Sequence, residues 1–150
     1  MGERMSRLPD WATSVMIDTC CFIYHFQADE YPVEAAYVDE LLRLVERGRL
    51  SALTSPVTLA EILAKPRRQG LDEVAYAYKL LLLNFPNLRI PPIDVAVADK
   101  ASMLRGRFGL KLPDALQVAT GIIHGASAFI TFDREIRRVA QVIPVIIPGE

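Results

Sequence analysis

The chain has 150 residues, a formal net charge of −1 and 51% hydrophobic residues. That is one domain's worth of sequence with a core of its own, and it excludes a disordered or collagen-like chain. A protein that coats nucleic acid through bulk positive charge is excluded too, because such proteins carry a basic excess.

The opening stretch, MGERMSRLPDW, lacks the apolar segment of a signal peptide, and residues 1–13 read as a loosely ordered extension. Val15, Met16 and Ile17 form a compact strand candidate. Cys20 and Cys21 then begin a helix as small packing residues. Pro32 to Arg47 predicts a helix with Ala35, Val38, Leu41, Leu42 and Val45 on one face, Pro32 in its first turn and Gly48 at its end. Leu50 to Thr54 is a second strand candidate. Pro56 to Ala64 predicts a short helix stopped by Pro66.

Leu71 to Asn84 is a more apolar helix, and Tyr76, Tyr78 and Leu80 to Leu83 are expected in the core; the alternative is a patch exposed for a second copy or a partner helix. Leu88 to Ile93 is a brief strand broken by Pro91 and Pro92. Asp94 caps a helix reaching about Phe108, and Pro113 opens another reaching about His124. Ala128 to Thr131 and Val142 to Ile147 are the last strand candidates. Ala115 to Phe132 carries no formal charge, but Gln117, Thr120, His124 and Ser127 disfavour a membrane span, so no membrane contact is expected.

Strands alternating with helices predict a single α/β domain over 1–150, a three-layer sandwich with a mostly parallel central sheet flanked by helices. In such sheets ligands bind beyond the carboxyl ends of the strands. Asp18 ends the first strand (VMID) and Asp133 follows a later one (FITFD). Asp114 starts a helix (LPDALQVATG), and Glu61 lies inside the helix after the second strand (SPVTLAEIL). Taken singly, the three aspartates have a simpler explanation as helix caps or first-turn acids. Glu61 is too far into its helix to be a cap. Lys65 would pair with it on a solvated face, but Val57 and Ala64 place that side partly indoors, where a carboxylate needs a partner or a cation.

Taken jointly, the four acids change the argument. Two unit charges about 4 Å apart repel by roughly 4 kcal/mol at an effective dielectric near 20. Several carboxylates gather only if some protonate or a cation binds. An oxygen-only set, without Cys or His, suits Mg²⁺ or Mn²⁺. Such a site points to metal-assisted phosphoryl chemistry, in which the ion orients a water and neutralises the charge that develops on phosphorus. A haloacid-dehalogenase-type phosphomonoesterase also begins with Asp after a strand, but Cys20 stands where its second Asp is needed.

The four segments, with IPPIDVAVADKASMLR at 90–105, resemble the PIN domain family from Val15 to about Ile147. No single motif is specific; the specificity lies in four of them in the family's order. The resemblance implies a PIN-like fold and a metal-dependent endoribonuclease whose Asp18, Glu61, Asp114 and Asp133 hold Mg²⁺ or Mn²⁺. It implies products with 5′-phosphate and 3′-hydroxyl ends, and a VapC-type toxin with a VapB-type antitoxin as partner. A homodimer is expected. Two positions depart from the family's pattern: Cys20 stands where Asn or Ser is common, and Phe132 where Asn often precedes the last Asp. They motivate an alternative, a catalytically inactive PIN-like module that binds RNA or a protein.

Basic residues follow or precede the acids: Lys65, Arg67 and Arg68; Arg105, Arg107 and Lys111; Arg134, Arg137 and Arg138. They are candidates to grip phosphates, against the simpler reading of solvated helix ends. Arg134 and Lys111 are the substrate-binding candidates among them, with Thr131 and Thr58 as hydroxyl supports of the site. His25 and His124 read as structural. Adjacent cysteines bridge only with strain, and no Cys/His set has zinc spacing, so a reducing cytoplasm is the expected setting.

Overall fold

The computed structural model describes residues 8–150. Its strands are β1 (Ser14–Ile17), β2 (Ser51–Leu53), β3 (Leu88–Arg89), β4 (Ala128–Ile130) and β5 (Val145–Ile146). The helices are α1 (Thr19–Phe26), α2 (Pro32–Glu46), α3 (Pro56–Arg68), α4 (Asp72–Leu83), α5 (Val95–Phe108) and α6 (Leu112–Ile123), with a 3-10 helix at Arg134–Val139. The five strands run in the order β3-β2-β1-β4-β5 and every pairing is parallel. β1, buried from Val15 to Ile17, sits at the centre, with Val15 opposite Ala52 on one side and Ala128 on the other.

Side chains alternate across a strand, so a parallel sheet needs a cover on each face. Val15, Ile17, Ala52, Ala128 and Ile130 pack with Phe22 of α1 and Val38, Leu41 and Leu42 of α2. Met16, Leu53 and Phe129 pack with Val97, Ala101 and Leu104 of α5 and Ala115, Val118 and Ala119 of α6. The result is the three-layer α/β sandwich. All five apolar positions expected on the face of α2 are buried. Asp94 accepts the Val97 N–H at 3.0 Å as the cap of α5, which ends at Gly109 in the left-handed region at φ 67°.

Three expectations are corrected. Pro66 does not stop α3, which runs on to Arg68. An interior proline costs a hydrogen bond and a clash, about 3 kcal/mol. Here Pro66 is buried, and the turn after it is tied back by Leu71 N–H donating to the Pro66 carbonyl at 2.8 Å. In α4 only Ala75 and Leu82 are buried, whereas Tyr76 is 60% and Leu81 57% exposed. The reason is position. This helix packs on α3 and on β3, a two-residue edge strand that offers only a narrow strip to cover. The last expected strand is shortened too: β5 begins after Pro144 and not at Val142, whereas β3 ends before Pro91 and Pro92, the break expected there.

Of the extension expected over 1–13, residues 1–7 lie outside those described; beyond them Leu8 packs against the core and Ala12 is buried. Among the described residues no helix is long and apolar enough to cross a membrane.

Candidate active site

Asp18 is the first residue past β1, at the carboxyl edge of the central strand, and is 8% exposed. Its Oδ1 accepts the Thr19 N–H at 2.8 Å, which caps α1, and its Oδ2 accepts the Thr131 hydroxyl at 2.8 Å. Thr131 stands just past β4 and also accepts the Asp133 N–H at 3.0 Å. One hydroxyl thus links the ends of two neighbouring strands. Asp133 in turn caps the 3-10 helix through Oδ1, which accepts the Glu135 N–H at 3.0 Å. The capping role weighed for Asp18 and Asp133 is met without taking either carboxylate out of the site.

Asp18, Glu61, Asp114 and Asp133 line one cavity of about 270 Å³ with Thr19, Cys20, Ile23, Tyr24 and Phe132. The acids come from four places: the end of β1, the middle of α3, the first turn of α6 and the loop after β4. Burial raises the Asp18 carboxyl above its ordinary range, against hydrogen bonds from Thr131, Thr19 and Gln117 that lower it; the Glu61 charge raises it further. Asp114 is raised as well, by burial first and then by the charges of Asp18 and Asp133. Glu61 is exposed, contrary to the partly indoor position expected, but its Oε1 accepts the Thr19 hydroxyl at 2.9 Å.

Beneath the cavity lies a buried polar chain that the sequence did not announce. Gln117, 1% exposed, holds its centre. Its Nε2 donates to Thr19 Oγ1 at 3.0 Å, Thr58 Oγ1 at 2.9 Å and, more weakly, Asp18 Oδ1 at 3.4 Å; its Oε1 accepts the Ser55 hydroxyl. The Thr54 hydroxyl donates to the Ile17 carbonyl at 2.8 Å. Thr58 therefore donates to Thr54, at 2.7 Å, and Thr19 to Glu61. The hydroxyl protons then have one consistent direction, and the Ser55 proton on Oε1 sets the orientation of the amide, whose two protons are shared among three acceptors. The available signal was spacing: Gln117 follows Asp114 by three residues on α6, so the two share a helix face.

None of the four substrate-binding candidates lines the acidic cavity. Thr131 and Thr58 are buried behind it. Lys111 lies to one side, in a second cavity of about 190 Å³ that Asp114 and Asp133 share with Arg138. Arg134 lies to the other side, its Nε donating to Glu150 Oε2 at 3.0 Å. Cys21 is packed in the core, as expected. Cys20 does more: its sulfur lies 3.6 Å from Thr131 Oγ1 and accepts the Phe132 N–H at 3.5 Å. Both thiols are free. His25 pairs with Asp39 at 2.7 Å, away from the cavity.

The donor set is all oxygen, which is the chemistry of a hard divalent ion. Among the described residues, no three Asp, Glu, His or Cys side chains converge closely enough to enclose an ion unaided. Mg²⁺ does not require that, since one or two carboxylates with waters commonly hold it. Both carboxyls are raised chiefly by burial, and the neighbouring acids add to it.

The fold is similar to three solved toxin-antitoxin structures. VapBC2 from Rickettsia felis bound to a promoter DNA fragment matches with a TM-score of 0.71 at 16% identity, over 89% of this chain and 98% of that one. DNA-bound VapBC from Salmonella typhimurium matches at 0.68 and 16%, over 89% and 97%. A toxin-antitoxin complex from Klebsiella pneumoniae matches at 0.63 and 21%, over 91% and 98%. No curated protein matches the chain. The PIN domain matches residues 15–142, from β1 through the loop before β5, and the chain belongs to the PIN domain family.

Proposed function

We propose that this protein is a divalent-metal-dependent endoribonuclease and the toxin of a VapBC-type pair. The observation that carries the reading is the convergence of Asp18, Glu61, Asp114 and Asp133 on one cavity at the carboxyl edge of a parallel sheet. Asp18 is the central ligand. It is nearly buried, pinned by Thr19 and Thr131, and raised in pKa chiefly by that burial. Asp114, Asp133 and Glu61 complete an oxygen donor set for Mg²⁺ or Mn²⁺.

When bound, the ion supplies neutralisation of the phosphodiester's charge and activation of the attacking water. The chain's own residues do the rest. Thr131 and the Thr19 amide hold the Asp18 carboxylate in one orientation, and Gln117 fixes Thr19, which orients Glu61. Lys111 and Arg134 flank the cavity and meet phosphates on either side of the cleaved bond. The VapBC neighbours support an antitoxin of the VapB type as partner. The exposed apolar row of α4, Tyr76, Leu80 and Leu83 at successive turns, supports a homodimer. Two free thiols suit a reducing cytoplasm.

Asp18→Asn keeps the cap and the shape but removes the charge. With Mn²⁺, the native protein should cleave total cellular RNA and stop on addition of EDTA. The variant should lose more than about 100-fold, beyond the 10–100-fold typical for groups that only orient a ligand. Undiminished cleavage by Asp18→Asn defeats the proposal.

A second reading is favoured by Phe132, whose ring lines the acidic cavity, and by the lack of a closed three-carboxylate cluster among the described residues: an inactive PIN module that binds RNA or a protein. Calorimetric titration with Mn²⁺ separates the two, since no binding at millimolar metal favours the module.

A further inference from the structure

On the other side of the acidic cavity from Lys111 lies a third cavity, of about 340 Å³, and Tyr24 and Phe132 line both it and the acidic one. The two rings meet edge to face, 5.1 Å between centroids. Tyr37 adds a third ring, Glu34 a carboxylate, and Arg134 and Glu150 an ion pair. Its volume is at the small end for ligand pockets, which run from about 300 to 1,000 Å³. Its chemistry differs from that of its neighbour. Three aromatic faces favour a flat ring, and a lining with two acids and one base does not select an anion.

On the reading of this protein as a ribonuclease, we infer that this cavity is a nucleobase subsite. It takes the base of the nucleotide next to the cleaved phosphate, and it prefers guanine. Bases in single-stranded RNA are held by stacking on aromatic side chains and by hydrogen bonds to their pairing edges. Phe132 and Tyr24 form the wall between the two cavities, so a base against that wall puts its phosphate on the acidic side. Glu34 sets the preference. A carboxylate only accepts hydrogen bonds. Guanine alone presents two adjacent donors, N1–H and N2–H, on its pairing edge. Adenine and cytosine set an acceptor beside their amino group, and uracil flanks its single N–H with two carbonyls. Phe132, a departure from the family's pattern, thereby gains a role in place of the polar group it displaces.

The test is calorimetric titration of the whole protein in EDTA with the four nucleoside 5′-monophosphates and with ribose 5-phosphate. Guanosine monophosphate should bind tightest and ribose 5-phosphate much more weakly. Phe132→Ala should lose roughly tenfold in affinity, the usual consequence of removing a stacking ring. Glu34→Gln, on the half-buried side of α2, should keep the fold and level guanosine with the other three. Equal binding of ribose 5-phosphate, or a guanosine preference that survives Glu34→Gln, overturns the subsite. Leaving the metal out separates this idea from the nuclease reading. Base binding without RNA cleavage keeps the subsite and sinks the nuclease, and cleavage without base binding does the reverse.

Discussion

Removing the Gln117 amide would leave the buried Ser55 hydroxyl without its acceptor and take a donor from Thr19 and Thr58, which keep their contacts to Glu61, Thr54 and each other. Each buried polar group left without a partner costs about 1–3 kcal/mol. Gln117→Leu should therefore lower stability by about 3 kcal/mol in urea denaturation. It should also weaken Mn²⁺ binding by 10–100-fold, the range for partners that orient a metal ligand. If Gln117 served only as filling, Gln117→Met would retain both properties.

The carboxyls beside it give a pH dependence with a definite sign. Burial, above all, raises the Asp18 and Asp114 carboxyls above their ordinary range in the folded protein. The folded protein therefore holds these protons more tightly than the unfolded chain does. Their contribution is most favourable below the unfolded value and is lost as pH rises through the folded one. In EDTA, Asp18→Asn should melt higher than the native protein at pH 7, and the difference should close as the pH falls below the ordinary carboxyl range. A saturating divalent cation should reverse the order at pH 7 by binding only the native carboxylate site.

At the scale of elements, the contact of α6 with β1 is set by a missing side chain. A Cβ on Gly121 would stand 3.0 Å from Met16 Cβ and 3.4 Å from Ile143 Cδ1. Gly121→Ala gains about 1 kcal/mol of helix propensity. Overpacking costs about 1–3 kcal/mol, and here the neighbour is a fully buried atom close to the backbone. The clash should win, so Gly121→Ala should lower the melting temperature and, by lifting α6, disturb Asp114 and Gln117 on the same helix. A higher melting temperature would show that the helix yields at little cost.

The same scale shows what the sequence made legible. Helix α2 could be read because its five apolar residues repeat at helical spacing and its cover, the sheet, lies in the same chain. Helix α4 misled because apolarity says that a surface seeks burial, not which molecule will bury it. Pro66 misled because its penalty is local and the packing that offsets it is not. Asp18 and Asp133 were legible from their places after strands, and Glu61 and Asp114, which lie on helices, only from the order of the four motifs. Gln117 was not, since its partners Thr58 and Thr19 lie 59 and 98 residues away and form no pattern along the chain.

At the scale of the whole molecule, the end of the described chain is brought back over the 3-10 helix that follows the site. Glu150 accepts from Arg134 at 3.0 Å and from Arg137 at 2.8 Å, and the two arginines hold its carboxyl below the usual range, Arg137 the more. These are exposed pairs, which contribute little to stability and give way readily to a stronger anion. On the ribonuclease reading, a phosphate of the substrate would displace the carboxylate and engage both cations. Glu150→Gln should free both guanidinium groups. Single-stranded RNA should then bind more tightly at low salt, measured in EDTA so that nothing is cleaved. Because each newly engaged cation releases about 0.7 of a counterion from a single strand, the plot of log Kd against log salt should steepen by about 1.4 units for the two arginines. Arg134→Gln in the same background should remove about half of that increment. An unchanged slope would mean that RNA passes the arginines by.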